Sequence, residues 1–255
     1  MREGQSPAAG ARTPKSGKAL TATMVALTMT TGVIEAVSFL VLGPVFTAVQ
    51  TGNLLFLSFA ITGAESDLSP AASGMSLAGF ASGVVVGSGF EAAVQARGLR
   101  WFFAALMAEA VLIGSGALVA WGIEGTGGPL TARHYAVTAI VGAAMGLQNA
   151  TAMKAPVPDV PTTLVTRAMT GLLGGGRSVP VGDAPTTGPG ASTDTGHRRR
   201  RAASVAAMFA GGVLGAALLR ASVSPAVLLL AVALTVLTVG VVHGCLLGRD
   251  HARTP

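Results

Sequence analysis

The residues best able to do chemistry in this sequence stand where charge and polarity are expensive. Glu35 is the sole charged residue between Leu20 and Gly63. Glu109 lies inside the apolar run "ALMAEAVLIG", and "GLQNA" closes another apolar run with Gln148 and Asn149. A carboxylate at the centre of a bilayer costs roughly 2.5–3.5 kcal/mol on insertion scales, so it should face the interior of a bundle and be paired or protonated. Two readings of Glu35 and Glu109 follow. One is a proton or cation site; the other is a neutral acid hydrogen-bonded to a neighbouring helix.

A second constellation is "VQTGNLLF", where Thr51, Gly52 and Asn53 interrupt apolar sequence. Thr51 or Asn53 suits a helix N-cap, and Gly52 permits a turn. In the second half, "PVPDVPTT" holds extended backbone from Pro156 to Pro161, and Thr162 or Thr163 then caps a short helix leading to Thr166 and Arg167. A half-helix N-terminus presents free N–H groups and a positive dipole end. It can receive a polar or anionic ligand, or the Glu35 carboxylate. The plainer alternative is an ordinary turn and cap that holds a kink. Glu91 can snorkel from a helix end, and His243 is read as a hydrogen-bonded packing residue.

These residues need elements to position them. The chain has 255 residues, 51% hydrophobic and 11% charged, with 35 Gly. Soluble domains carry about 25% charged residues, and Gly is more frequent in membrane helices than in soluble ones. A span takes about 20 mainly apolar residues. Six runs qualify: 19–42, 71–94, 101–122, 134–153, 202–220 and 224–247. Two apolar pieces, 53–63 and 162–173, are too short and are read as broken or re-entrant half-helices. Irregular backbone at membrane depth is tolerated where protein or a water-filled cavity surrounds it.

Charge sets the orientation. Six spans put 15 of the 17 Lys and Arg on one side, leaving Arg133 and Arg220 on the other. That bias places both termini in the cytoplasm. A complete span at 53–63 would move Arg97 and Arg100 outside and break it. Residues 1–18 read as a disordered tail, 248–255 as a C-terminal tail, and 174–201 as a disordered cytoplasmic loop rich in Gly, Pro, Ser and Thr. The run Arg198–Arg201 reads as a topology determinant against anionic headgroups, not as a nucleic-acid site.

The halves 19–122 and 134–247 resemble each other. "GVIEA" (32–36) matches "GLQNA" (146–150) at an offset of 114, and "FASGV" (80–84) matches "FAGGV" (209–213) at 129. Three crossings per half is odd, so the second half enters upside down, as in the inverted repeats of many secondary transporters. The stripes Gly79, Gly83, Gly87 and Gly211, Gly215 read as close helix packing. The first stripe is also a candidate contact between copies of the chain.

Taken together, "GVIEAVSFLVLGPVFTAVQTGN" and "AMGLQNATAMKAPVPDVPTTLVT" resemble the YoaK-like family of bacterial inner-membrane proteins, a domain-of-unknown-function family. The resemblance implies a polytopic membrane protein and supplies no activity. Glu35 stands where that family usually has Asp, and Arg167 where it usually has Gly.

The expected fold is all-α: a polytopic membrane bundle of six spans and two half-helices in inverted three-span repeats. No nucleophile–base pair, metal-ligand spacing or phosphate loop is present in the sequence, and the single Cys245 excludes an internal disulfide. The expectation is a non-enzyme without cofactor or metal. It is either a transporter or channel for a small solute or ion, with a site at Glu35, Glu109, Gln148 and Asn149, or a membrane scaffold or regulatory subunit acting through its basic loop. Reporter fusions after residues 68, 97, 127, 190 and 255 should read out, in, out, in, in. An outside signal at 97 would overturn the re-entrant reading.

Overall fold

The computed structural model describes residues 14–63, 68–96, 101–124, 129–154, 169 and 191–251. Seven helices are defined among them: α1 (Pro14–Val41), α2 (Gln50–Thr62), α3 (Pro70–Ala96), α4 (Trp101–Val119), α5 (Ala132–Lys154), α6 (Ala191–Arg220) and α7 (Pro225–His251). All but α2 contain a stretch long and apolar enough to cross a membrane. The protein is an all-helical, polytopic bundle.

Local chemistry explains where the helices begin. Ser69 accepts the Ala72 N–H and Ser224 the Val227 N–H through their hydroxyls, with Pro70 and Pro225 in the first helical position. That is the Ser cap followed by a residue with no N–H to leave unpaired. At the head of α5, the Thr131 N–H donates to His134 Nδ1 at 3.1 Å, the back-reach of a capping box with His in place of Glu. Helix α2 closes on Gly63, left-handed at φ 70°, whose N–H returns to the Ala60 and Phe59 carbonyls.

Three boundaries differ from the sequence expectation. α1 already starts at Pro14, α6 at Ala191 and α7 runs to His251, so parts of the expected tails 1–18 and 248–255 and of the loop 174–201 are helical. Arginine is a good helix former and a single N-terminal Pro costs nothing. A span can therefore continue into a polar extension that composition alone marks as loop.

Packing is dominated by glycine. Gly79 and Gly83 of α3 lie against the Ala139 and Ala143 carbonyls of α5, and Gly87 against Leu147 and Ala150. Gly211 of α6 lies against the Met29 carbonyl of α1, and Gly215 against Val33 and Ala36. Backbone touches backbone, the close approach that small residues permit. The Gly79, Gly83, Gly87 stripe is thus taken up inside the chain by α5 and does not present a free face to a second copy.

The two contact sets share a register. Each α1 partner (Met29, Val33, Ala36) lies 114 residues before its α5 counterpart (Ala143, Leu147, Ala150). Gly211 and Gly215 lie 128 residues after Gly83 and Gly87. The packing register is therefore one residue off the 129 given by matching "FASGV" to "FAGGV". The glycines that touch backbone set it, and the Phe they accompany does not.

Large apolar side chains such as Val85, Val111 and Phe209 face outward, as lipid contact requires. The interior mixes an apolar core around Val37, Ile113, Val141 and Val236 with a buried polar set. A Cβ at Gly83 or Gly211 would collide with a carbonyl oxygen, whereas one at Gly74 meets nothing within 4 Å. Gly83→Ala and Gly211→Ala should each cost about 1–3 kcal/mol, as overpacking does. Melting of the detergent-solubilised protein should drop for both and stay unchanged for Gly74→Ala.

Candidate functional site

Between α1 and α2 the chain leaves helical geometry for residues 42–49. Gly43 makes the first bend at φ 110°, a conformation side chains resist. The segment then folds back along α1 instead of leaving it. Val45, Thr47 and Ala48 are buried, so the irregular backbone is the part enclosed by protein. α2 itself exposes Leu54, Leu55 and Ile61, which a helix tolerates because its backbone is bonded internally.

Two side chains hold the break. Glu35 accepts the Thr47 N–H at 3.2 Å and the Ala48 N–H on the same oxygen, Oε1. Ser38, one turn on, donates to the Glu35 carbonyl at 3.2 Å or to Oε2 at 3.4 Å. Asn53 binds the Phe46 peptide on both edges, taking its N–H at 2.8 Å and donating to its carbonyl. Its amide also reaches Gln50 Oε1 at 2.8 Å and Ser76 Oγ of α3 at 3.0 Å. Gln50 donates to the Thr47 carbonyl at 2.7 Å. The Phe46 ring stacks between Phe39 and Phe56, with centroids 5.1 and 5.8 Å away.

These contacts revise the roles read from the motif. α2 begins at Gln50 after Val49, which makes no side-chain cap bond. Thr51 and Asn53 therefore lie inside the helix and neither is its N-cap. Gly52 is not a turn: a Cβ there would press on the Phe46 ring. Sequence gave the right cluster but the wrong direction of bonding, since Asn53 binds seven residues back and not forward along its own helix.

A second buried polar group links three spans. Gln148 of α5 donates to Glu109 Oε1 of α4 at 2.8 Å. Thr31 of α1 lies 3.1 Å from Gln148 Oε1 and shares its hydroxyl proton with the Leu27 carbonyl. Glu109, Gln148 and Thr31 are all almost fully buried. Thr31 precedes Glu35 by one turn, so both acids border the same stretch of α1. Among the described residues no hydrogen bond joins Thr31 to Glu35.

Asn149, expected to mirror Glu35, is only half-buried, and its neighbour Gln148 takes the interior position. Thr162, Thr163, Thr166 and Arg167, with the half-helix 162–173, lie outside the described residues apart from Met169. The Glu91 side chain is likewise outside them. His243 is buried with its ring 5.0 Å from that of Phe102, a packing position. The residues missed were Thr31, Ser38, Thr47, Gln50 and Ser76. Thr31, Glu35 and Ser38 at i, i+4 and i+7 were a readable signal of one polar helix face.

A helical membrane bundle with a broken helix pinned to a buried acid is the class these features define. The chain belongs to the family described as protein of unknown function, DUF1275, whose model matches residues 23–241. No curated protein and no solved structure matches it.

Replacing Asn53 by Leu leaves the Phe46 N–H without its acceptor and removes one of the two donors to the Phe46 carbonyl, which keeps Ser76 Oγ. An unsatisfied buried group costs about 1–3 kcal/mol. Asn53→Leu should therefore lower the melting temperature sharply, while Ser58→Ala, which removes an exposed bond to the Leu55 carbonyl, should not.

Proposed function

We propose that the protein is a transporter or channel for a small solute or ion, with Glu35 as the group that takes up a proton or cation. The observation that carries this reading is the Glu35 carboxylate at the break before α2, held by two backbone N–H groups. A ligand at that carboxylate competes directly with the bonds that shape the break. Binding and backbone geometry are thereby one equilibrium. The fully buried Thr47 hydroxyl, which has no hydrogen-bond partner among the described residues, supplies a further oxygen beside it.

The repeated contact register supports an inverted repeat of three spans. Under its offset of 114, Glu35 corresponds to Asn149 and Gly32 to Gly146. Broken helices near the junction of two inverted halves are where secondary transporters bind substrate. The YoaK-like resemblance, a bacterial inner membrane and cytoplasmic termini belong to the same reading, the last through the charge bias. Glu109 with Gln148 forms a second acid within the bundle.

One observation favours the other reading, a non-transporting scaffold. Glu35 is buried, and two cavities lined by described residues, one at the 122–134 and 219–225 turns and one on the surface of α7, do not include it. On the transport reading this is an occluded form; on the scaffold reading it is the only form. Purified protein in liposomes separates them. Wild type should conduct or exchange a cation or proton-coupled solute, and Glu35→Gln should abolish that flux while still inserting and melting as a folded protein. Flux that survives Glu35→Gln removes the acid from the mechanism. An absence of flux across a broad screen of ions and small solutes favours the scaffold.

A further inference from the structure

Arg133 and Arg220 are the two basic residues that the orientation leaves opposite the other 15. They are 87 residues apart in sequence. Both line one cavity of about 1120 Å³ at the end of the bundle where α4 and α6 finish and α5 and α7 begin. Among the described residues neither guanidinium is hydrogen-bonded or ion-paired.

We propose that this cavity binds a ligand through a phosphate-class oxyanion. Two guanidinium groups in one concave site give the planar, multi-donor recognition that phosphate favours. The remaining polar lining adds donors. Ser222 and Ser224 bring hydroxyls, and His134 keeps its proton on Nε2 because Nδ1 accepts the Thr131 N–H. The single acid in the lining, Glu124, leaves a net positive site. The volume exceeds that of a bare phosphate and suits a phosphate carried on an organic body. A phospholipid headgroup and a soluble phosphate ester share this chemistry, and the site's place at the end of the spans admits either. The site is independent of the transport reading, because binding is measured without flux.

The test uses the full chain purified in neutral detergent and depleted of lipid. One arm titrates inorganic phosphate and glycerol phosphate calorimetrically at fixed ionic strength. The other measures retention of phosphatidylglycerol against phosphatidylcholine by native mass spectrometry. The double variant Arg133→Gln/Arg220→Gln alters two exposed side chains, and its melting temperature without ligand confirms folding. Saturable binding of a soluble phosphate, weakened at least tenfold in the variant, supports the site with a free solute as ligand. Preferential retention of phosphatidylglycerol, lost in the variant, supports it with a lipid headgroup. Binding in neither arm, or binding that the variant leaves unchanged, overturns the proposal.

Discussion

A peptide group in hydrocarbon has no water to bond, so each N–H and C=O there must find a partner in the protein. That requirement governs the architecture around residues 42–49. The helices meet it by regular bonding along their length. The break cannot, and polar side chains are brought in to do it. Glu35 takes the N–H groups of Thr47 and Ala48, Asn53 takes both sides of Phe46, and Gln50 takes the Thr47 carbonyl. The polar group within an apolar run, which reads in sequence as an anomaly, is the set of partners for one irregular stretch of backbone.

A consequence follows for any ligand that reaches Glu35. The carboxylate is at once a buried charge-bearing group and a structural acceptor. Protonation or cation binding changes what its oxygens offer to Thr47 and Ala48. In an ordinary buried ion pair the partner is another side chain, and the backbone is indifferent. Here the partner is the backbone itself, in a segment that joins a full span to a half-helix. Chemistry at one side chain is therefore tied to the position of α2, which contacts α3 through Asn53 and Ser76.

The fold was largely legible, because its signals are strong and local. Span length, the scarcity of charge and the bias of basic residues gave the six crossing candidates and the short α2, all present as helices. The Gly stripes were readable as packing faces, but not what they pack on, since spacing fixes a face and only tertiary structure fixes its neighbour. That is why Gly79, Gly83 and Gly87 looked available to a second copy and are occupied by α5. The site was legible as a set of residues and illegible as a set of bonds. Asn53 has the composition of a helix cap, and cap statistics describe local bonding. Its actual partner is reached by a chain reversal at Gly43 that no periodicity encodes. Gln148 and Asn149 were both expected in the site, but Asn149 was matched to Glu35 because an alignment pairs positions, whereas burial depends on which side of α5 faces α4, and Gln148 stands on that side.

The shared contact register separates what the two halves keep from what they change. In register, Met29, Val33 and Ala36 of α1 match Ala143, Leu147 and Ala150 of α5, and each trio receives glycines from α6 or α3. Side-chain size differs at the first two pairs and is kept at Ala36 and Ala150, and the backbone approach is the same. Packing is thus set by the glycine partner, which tolerates variety opposite it. The chemical positions behave otherwise. Glu35 falls on Asn149, an acid on an amide, and Ile34 falls on Gln148, an apolar residue on the one that bonds Glu109. The backbone contacts of the two halves match, while the two buried acids both stand in the first half, Glu35 beside the break and Glu109 beside Gln148.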